Sequence, residues 1–357
     1  MLASSGHESH AQSDYEQLDA CGVRAVRDGV RWHRIEHGPG DYDWDSFIPM
    51  LEAARRTGTQ VIWDLCHYGW PDDLEFFSSA FVDRFARFAA SLATLVRDES
   101  ADAPFYCPIN EISFWAWAGG EVARMNPCVR GSGARVKQQL VRASIAAIHA
   151  VRSVDPRARF IVAEPLINVV SGSEQWADRL SAHNHQMSQF EVHDMLTGAL
   201  HPELGGDPHC LDIVGVNFYA DNQWYLHGST IPLGHHSYRP LSEMLQEVHE
   251  RYRRPLMIAE TGAEGGAKSY WLHHVCGEVR AARRNGVPVE GICLYPITDY
   301  HGWDNGRVCN VGLLSMPDAD GGRRVCPSLQ EELRAQQTVF AHAWPEPQSS
   351  ASQVRYG

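Results

Sequence analysis

"QVIWDLC" (residues 60–66), "AFVDRFARFAASLATLVRD" (80–98) and "PFYCPIN" (104–110) follow one another in the chain. The first and third are short, continuously apolar runs. Runs of that kind suit strands buried on both faces, as in parallel sheets. The second has a helical pattern. Together they read as one strand–helix–strand unit. The same rhythm extends in both directions. Strand-like runs recur at "RAVRDGVRW" (24–32), "ARFIVAEPL" (158–166), "LDIVGVNFY" (211–219), "PLMIAETG" (255–262) and "EGICLYPI" (290–297). Helical patterns stand between them at 45–58, where Gly58 is placed to end the helix, and at 136–154 and 241–252. Repeated units over this length predict a single α/β domain of the (β/α)8, or TIM-barrel, class spanning residues 1–344. A doubly wound sheet is the alternative, but no Gly-x-Gly-x-x-Gly or Walker loop follows any strand. One strand is missing from the count. The helix expected at 11–21 should follow a first strand, and residues 1–10 are polar. The first strand is expected to be truncated, replaced or supplied by a partner, or else the barrel is open. The Pro/Ser-rich stretch 345–357 reads as a flexible tail.

The composition limits what the chain can do. Its formal net charge is −13, which argues against nucleic acid or anionic membrane as the main partner. No apolar run approaches the roughly 20 residues of a membrane span. The nine cysteines include no Cys-x-x-Cys pair, and Cys66, Cys107 and Cys293 lie inside strand-like runs, where a thiol behaves as a small hydrophobe. Reduced thiols and no leader pattern predict a cytoplasmic protein. The histidines at 183, 185, 193, 201, 209, 235 and 236 lack a metal-ligand spacing, so neither metal nor cofactor is expected. Oligomeric state is not legible.

Three glutamates end apolar runs: Glu111 in "PINEIS", Glu164 in "FIVAEP" and Glu260 in "LMIAET". In a (β/α)8 barrel the C-terminal ends of the strands form the working face. Two carboxylates facing each other across one pocket are what retaining glycoside hydrolysis needs, one as nucleophile and one as acid/base. The plainer possibility is that each glutamate caps a helix or pairs with an arginine.

The neighbouring residues carry a family resemblance. "VRDGVRWHRIEHGPGDYDW" resembles the R-F-S-x-S-W-S-R-I stretch and following P-x-G turn of glycoside hydrolase family one. "VIWDLCHYGWPDDL" resembles its H-W-D-x-P segment, and "PINEISFWAWAGG" its T-F-N-E-P block. "VGVNFY" is similar to G-x-N-Y-Y, and "LMIAETG" to the I-T-E-N-G nucleophile strand. The matches keep their order through residues 24–307. The resemblance implies a retaining β-glycoside hydrolase with a carbohydrate substrate. It makes Glu111 the acid/base and Glu260 the nucleophile. Asn110 would bind the sugar 2-hydroxyl and His67 another glycone hydroxyl. Arg27 would lie beside the nucleophile, with Arg31 and Arg34 as competitors for that place. Tyr219 would donate to Glu260 with Asn217 beside it, and Trp303 would supply a stacking floor. Glu164 reads as a substrate contact or supporting residue, and the aromatics of "FWAW" (114–117) as aglycone wall or core.

Departures stand beside the matches. Ile112 replaces the family's proline after the acid/base. In "YPITDYHGW" (295–303) Asp299 and Trp303 align, but Tyr295 replaces a tryptophan and Gly302 the glycone-binding glutamate. The missing first strand would have carried a glutamine that holds the same hydroxyls. The glycone, pyranose or furanose, therefore stays open. A non-catalytic carbohydrate-binding barrel and a transglycosidase using the same two acids are the alternatives.

Overall fold

The computed structural model describes residues 5–99, 102–303 and 305–344. The expected tail at 345–357 lies outside them. Seven strands form one sheet: β1 (Ala25–Gly29), β2 (Gln60–Cys66), β3 (Phe105–Ile109), β4 (Arg159–Pro165), β5 (Ile213–Asn217), β6 (Leu256–Thr261) and β7 (Val289–Leu294). Their spatial order is their chain order, and every neighbouring pair is parallel. Sequential parallel neighbours need helical crossovers on the outside. The crossovers carry α2 (Ile48–Thr57), α3 (Ser79–Glu99), α4 (Gly133–Val154), α5 (Trp176–Met187), α6 (Leu241–Tyr252) and α7 (Lys268–Arg284), while α1 (His7–Ala20) precedes β1 and α8 (Pro327–Ala343) follows β7.

The two-sided burial read from the sequence has a physical counterpart. One face of the strands lines the barrel interior, where Ile62, Cys107, Ile161, Ala163, Ile213 and Ala259 form a small cluster. The other face, with Val61, Trp63, Leu65, Tyr106, Phe160, Val162, Val214 and Ile258, packs in the large outer core beneath the helices. The interior is tight at β5. A Cβ on Gly215 would lie 3.0 Å from the Ala163 backbone and 3.1 Å from the Ala259 methyl. Helix α2 ends at Gly58 in the left-handed conformation (φ 66°), as expected of a C-cap glycine.

The barrel does not close. Among the described residues no strand joins β1 to β7, and a cavity of about 700 Å³ lies between them. Leu18, Val26, Leu272, Ile292, Leu333 and Phe340 line its apolar part, and its wall continues to Arg27, Asp64 and Glu260. The eight-strand expectation is thus met by seven strands and one open position. Residues 7–20 form α1, which starts four residues earlier than expected. Its polar start is anchored because His7 bridges Asp14 (2.7 Å) and Asp28 (3.0 Å), and Arg323 grips Asp14 from the C-terminal part of the chain.

Candidate active site

The strands bring Glu260, Glu111 and most of their expected neighbours to one pocket of about 320 Å³ at their C-terminal ends. Glu260 is the fifth residue of β6 and is buried. Its two oxygens are held differently. Arg27, on β1, donates from Nη1 to Oε1 (3.2 Å), and the same nitrogen holds the Ala259 carbonyl at 2.8 Å. Tyr219, just past β5, donates to Oε2 at 2.9 Å. The competing arginines go elsewhere. Arg31 donates to the Ser46 carbonyl, and Arg34 pairs with Glu8.

Glu111 follows β3 and starts a short helical turn, Ile112–Trp115. Its backbone is left-handed (φ 46°), a conformation that costs a non-glycine residue about 1–3 kcal/mol and gathers at functional sites. The amide of Glu111 is pinned to the Ala163 carbonyl at 2.9 Å. Ile112, standing where the family has proline, is buried in the outer core. Both Glu111 oxygens accept hydrogen bonds. Asn217 Nδ2 donates to Oε1 at 2.9 Å and Tyr68 Oη to Oε2 at 2.7 Å. Asn217 lies beside Glu260 across the β5–β6 pair, where the resemblance put it, and its side chain donates to Glu111. Burial, and then the charge of Glu260, push the Glu111 carboxyl up to about 7 against the pull of those donors.

A third acid, Asp64 on β2, was not singled out in the sequence. It is buried and takes a bidentate grip on Arg27, with Nε–Oδ1 at 3.2 Å and Nη2–Oδ2 at 2.8 Å. Its Oδ2 also lies 3.3 Å from His67 Nδ1. Burial alone would raise the Asp64 carboxyl, but the Arg27 guanidinium and His67 hold it below its usual range. Burial works against the His67 imidazolium, yet the bond to Asp64 and the charges of Asp64 and Glu260 raise it above its ordinary value. Arg27 Nη2 donates to Asn110 Oδ1 at 2.8 Å. Asn110 Nδ2 in turn reaches Tyr68 Oη (3.1 Å) and His67 Nε2 (3.4 Å). Asn110 is thus fixed on both sides at the pocket wall. Only the strand-end position of Asp64 and the aromatic beside His67 hinted at these two missed residues.

Other expected residues lie at the rim or behind it. Trp303 is half exposed and meets Tyr68 edge-on at 5.9 Å. In "FWAW", Phe114 lines the pocket, Trp115 is core and Trp117 is exposed. Asp299 accepts from the Gly312 amide at 2.8 Å, a loop-building bond. Glu164 accepts from the Ser113 amide at 3.0 Å behind the Glu111 turn, and burial pushes its carboxyl up to about 7. It does not line the pocket. Among the described residues one group, His149, Asp207 and Cys210, brings ligand-type atoms within 4.8 Å of one another. Asp207 and Cys210 precede β5, at the end of the barrel opposite the pocket.

No protein-family model matches the chain, and no curated protein matches it. Solved structures do. The fold is that of the family 1 β-glucosidases, a (β/α)8 barrel, here with one strand position open. A family 1 β-glucosidase from Thermotoga maritima superposes with a TM-score of 0.77 at 18% identity, over 93% of this chain and 86% of that one. The β-glucosidase from the same organism in complex with deoxynojirimycin gives 0.79 at 18% identity, over 93% and 87%. The AHE enzyme from Alicyclobacillus herbarius gives 0.76 at 18% identity, over 95% and 88%.

Proposed function

We propose that the chain is a retaining β-glycoside hydrolase in which Glu260 is the nucleophile and Glu111 the acid/base. What carries this reading is the unequal setting of the two acids. Glu260 has a guanidinium and a phenol on its two oxygens, which favours the carboxylate a nucleophile must be. Glu111 is buried beside that negative charge and its carboxyl stands at about 7, which suits a group that gives up a proton and takes one back. A carboxyl raised to about 7 beside a second carboxyl held by a guanidinium and a phenol suits a division into acid/base and nucleophile roles. In the first step the Glu111 proton passes to the glycosidic oxygen while Glu260 attacks the anomeric carbon. In the second, Glu111 takes a proton from water, which releases the sugar from Glu260. Asn110 and His67, both fixed by hydrogen bonds at the pocket, stand ready for glycone hydroxyls. The neighbours in complex with deoxynojirimycin and glucoimidazole hold sugar-like molecules, in keeping with a carbohydrate substrate here.

The test is a panel of nitrophenyl pyranosides and furanosides given to the wild type, Glu111→Gln and Glu260→Gln. The expected result is turnover of at least one glycoside, its loss in Glu260→Gln, and recovery by azide in Glu260→Gly. The product anomer should match the substrate anomer. Wild-type hydrolysis that persists in Glu260→Gln refutes the assignment. Sugar binding without turnover, unchanged in Glu260→Gln, favours a carbohydrate-binding barrel.

A further inference from the structure

Tyr68 stands next to His67, on a left-handed residue (φ 68°) beyond the end of β2. It was not among the residues the family resemblance assigned. Its oxygen has two partners, both fixed. Asn110 Nδ2 lies 3.1 Å away and has only hydrogens to offer, so it occupies a lone pair of the phenol. The phenol hydrogen is left for Glu111 Oε2 at 2.7 Å. Burial, and then the Glu111 charge, push the Tyr68 phenol well above its ordinary value, so it stays a donor.

Asn110 is itself oriented. Its Oδ1 accepts from Arg27 Nη2, which forces Nδ2 toward Tyr68. A continuous chain of hydrogen bonds therefore runs Glu260–Arg27–Asn110–Tyr68–Glu111. Each link has a defined donor. The chain joins the nucleophile's cation to one oxygen of the acid/base.

The other Glu111 oxygen faces Asn217. Asn217 Nδ2 donates to Oε1, and Asn217 Oδ1 is buried with no partner. Turning that amide over would let Oδ1 accept from a protonated Oε1, so Asn217 suits both charge states of Glu111. Tyr68 suits only an accepting oxygen.

On these grounds we propose, resting on the glycosidase reading, that Tyr68 is a positioning residue that keeps Oε2 of Glu111 unprotonated and so places the transferable proton on Oε1. Without it the proton would be shared between the two oxygens and half of the acid population would be misdirected. Loss of a donor from the carboxylate also raises the pKa of Glu111, making it a weaker acid. The charged and titratable groups around Glu111 are His67 and Tyr68 beyond β2, Glu164 on β4, Tyr219 beyond β5, Glu260 on β6 and Tyr295 beyond β7. All but Tyr68 itself remain when Tyr68 becomes phenylalanine, so a shift reports Tyr68 alone.

The experiment compares wild type with Tyr68→Phe in two ways. The pH profile of kcat/KM is measured on a phenyl glycoside, whose departure needs the acid, and on a dinitrophenyl glycoside, whose departure does not. The Glu111 carboxyl is also titrated by carbon-13 NMR, assigned with Glu111→Gln, which needs no turnover. The alkaline limb and the NMR titration should both move up by about one pH unit, since a hydrogen bond to a charged group is of that order. The phenyl glycoside should lose about tenfold in kcat/KM and the dinitrophenyl glycoside far less. Site-specific 3,5-difluorotyrosine at position 68, with nearly the same shape and a stronger donor, should move the titration the opposite way. It also covers a Tyr68→Phe protein that fails to fold. An unchanged Glu111 titration in both variants overturns the proposal. Wild type that hydrolyses nothing overturns the glycosidase reading instead, while the NMR titration still decides on Tyr68.

Discussion

Asp64→Asn is the perturbation that best tests how the site is held. Asp64 and Arg27 form a buried bidentate pair, with contacts of 2.8 and 3.2 Å, and Asp64 also holds His67 at 3.3 Å. Asparagine keeps the shape, but it removes the charge and presents an NH2 group to one of the partners. Removing one member of a buried ion pair costs about 3–5 kcal/mol. Here Arg27 keeps Glu260, the Ala259 carbonyl and Asn110, and the asparagine oxygen still accepts one bond, so about 2–3 kcal/mol is expected. Urea unfolding at pH 7, with the free energy extrapolated to water, measures it. The pH dependence adds a second check. Asp64 is held below its ordinary carboxyl value in the fold, so its contribution is fully present above the unfolded value of about 3.9 and fades as pH falls further, toward the folded value. The carboxylate's own part of the gap between wild type and Asp64→Asn should therefore narrow in strong acid, while the part it lends to protonated His67 should fade as pH rises from the ordinary histidine value through the raised one. His67, raised by the same carboxylate, should titrate lower in the variant. A stability difference under about 0.5 kcal/mol, within the range of an ordinary surface change, would show that Asp64 does not hold Arg27.

Three more outcomes follow from the same geometry. With Glu111 at about 7, kcat/KM on a poor leaving group should fall as pH rises through that value, because the proton donor is lost; in Glu260→Gln the Glu111 titration, followed by NMR, should move down once the neighbouring charge is gone. Glu164 is raised to about 7 by burial, so its neutral form stabilises the fold fully below the ordinary glutamate value of about 4.3, and that stability is lost as pH rises through 7. Glu164→Gln should thus be more stable than wild type at pH 8, and similar curves for the two proteins would contradict the burial argument. Gly262→Ala would put a Cβ 2.2 Å from the Tyr295 carbonyl, a backbone atom that cannot swing away. Overpacking of this kind costs about 1–3 kcal/mol or more, so the melting temperature and, with Glu260 two residues away, kcat/KM should both drop.

Most of the barrel was readable because its strands are apolar on both faces. Residues 60–66 form a strand with the boundaries read from the sequence. Residues 241–252 form a helix in the same way. The seven runs gave seven strands. Arg27 was preferred over Arg31 and Arg34 on family resemblance, and the structure does place it on Glu260. Asp64 and Tyr68 were not readable. Their roles exist only where β1, β2 and β3 converge, and no local pattern marks a carboxylate that will meet a guanidinium 37 residues away. Asn217 does lie beside Glu260 across the β5–β6 pair, but its bond to Glu111 was not readable for a similar reason. The gap between β1 and β7 was foreseen as an absent strand, but not as a cavity whose wall continues to Arg27, Asp64 and Glu260.

The departures from family one fall on one side of the site. The parts that set charge are all present: Arg27 and Tyr219 on Glu260, and Asn217 on a buried Glu111. The parts that would grip the far side of a pyranose are the altered ones. Gly302 has no side chain, and its amide bonds to the Arg307 carbonyl. Tyr295 stands in place of a tryptophan, and the strand position that would carry the glutamine is open. Arg27 is the guanidinium that touches both Asp64 and Glu260. Burial, and then the charge of Glu260, disfavour a charge on Glu111 and hold its carboxyl up at about 7. That balance depends on no sugar contact. On the glycosidase reading proposed above, acid–base chemistry and glycone recognition would fall to separate residues, because the altered positions all lie on the glycone side and the hydrogen bonds to the two glutamates do not involve them.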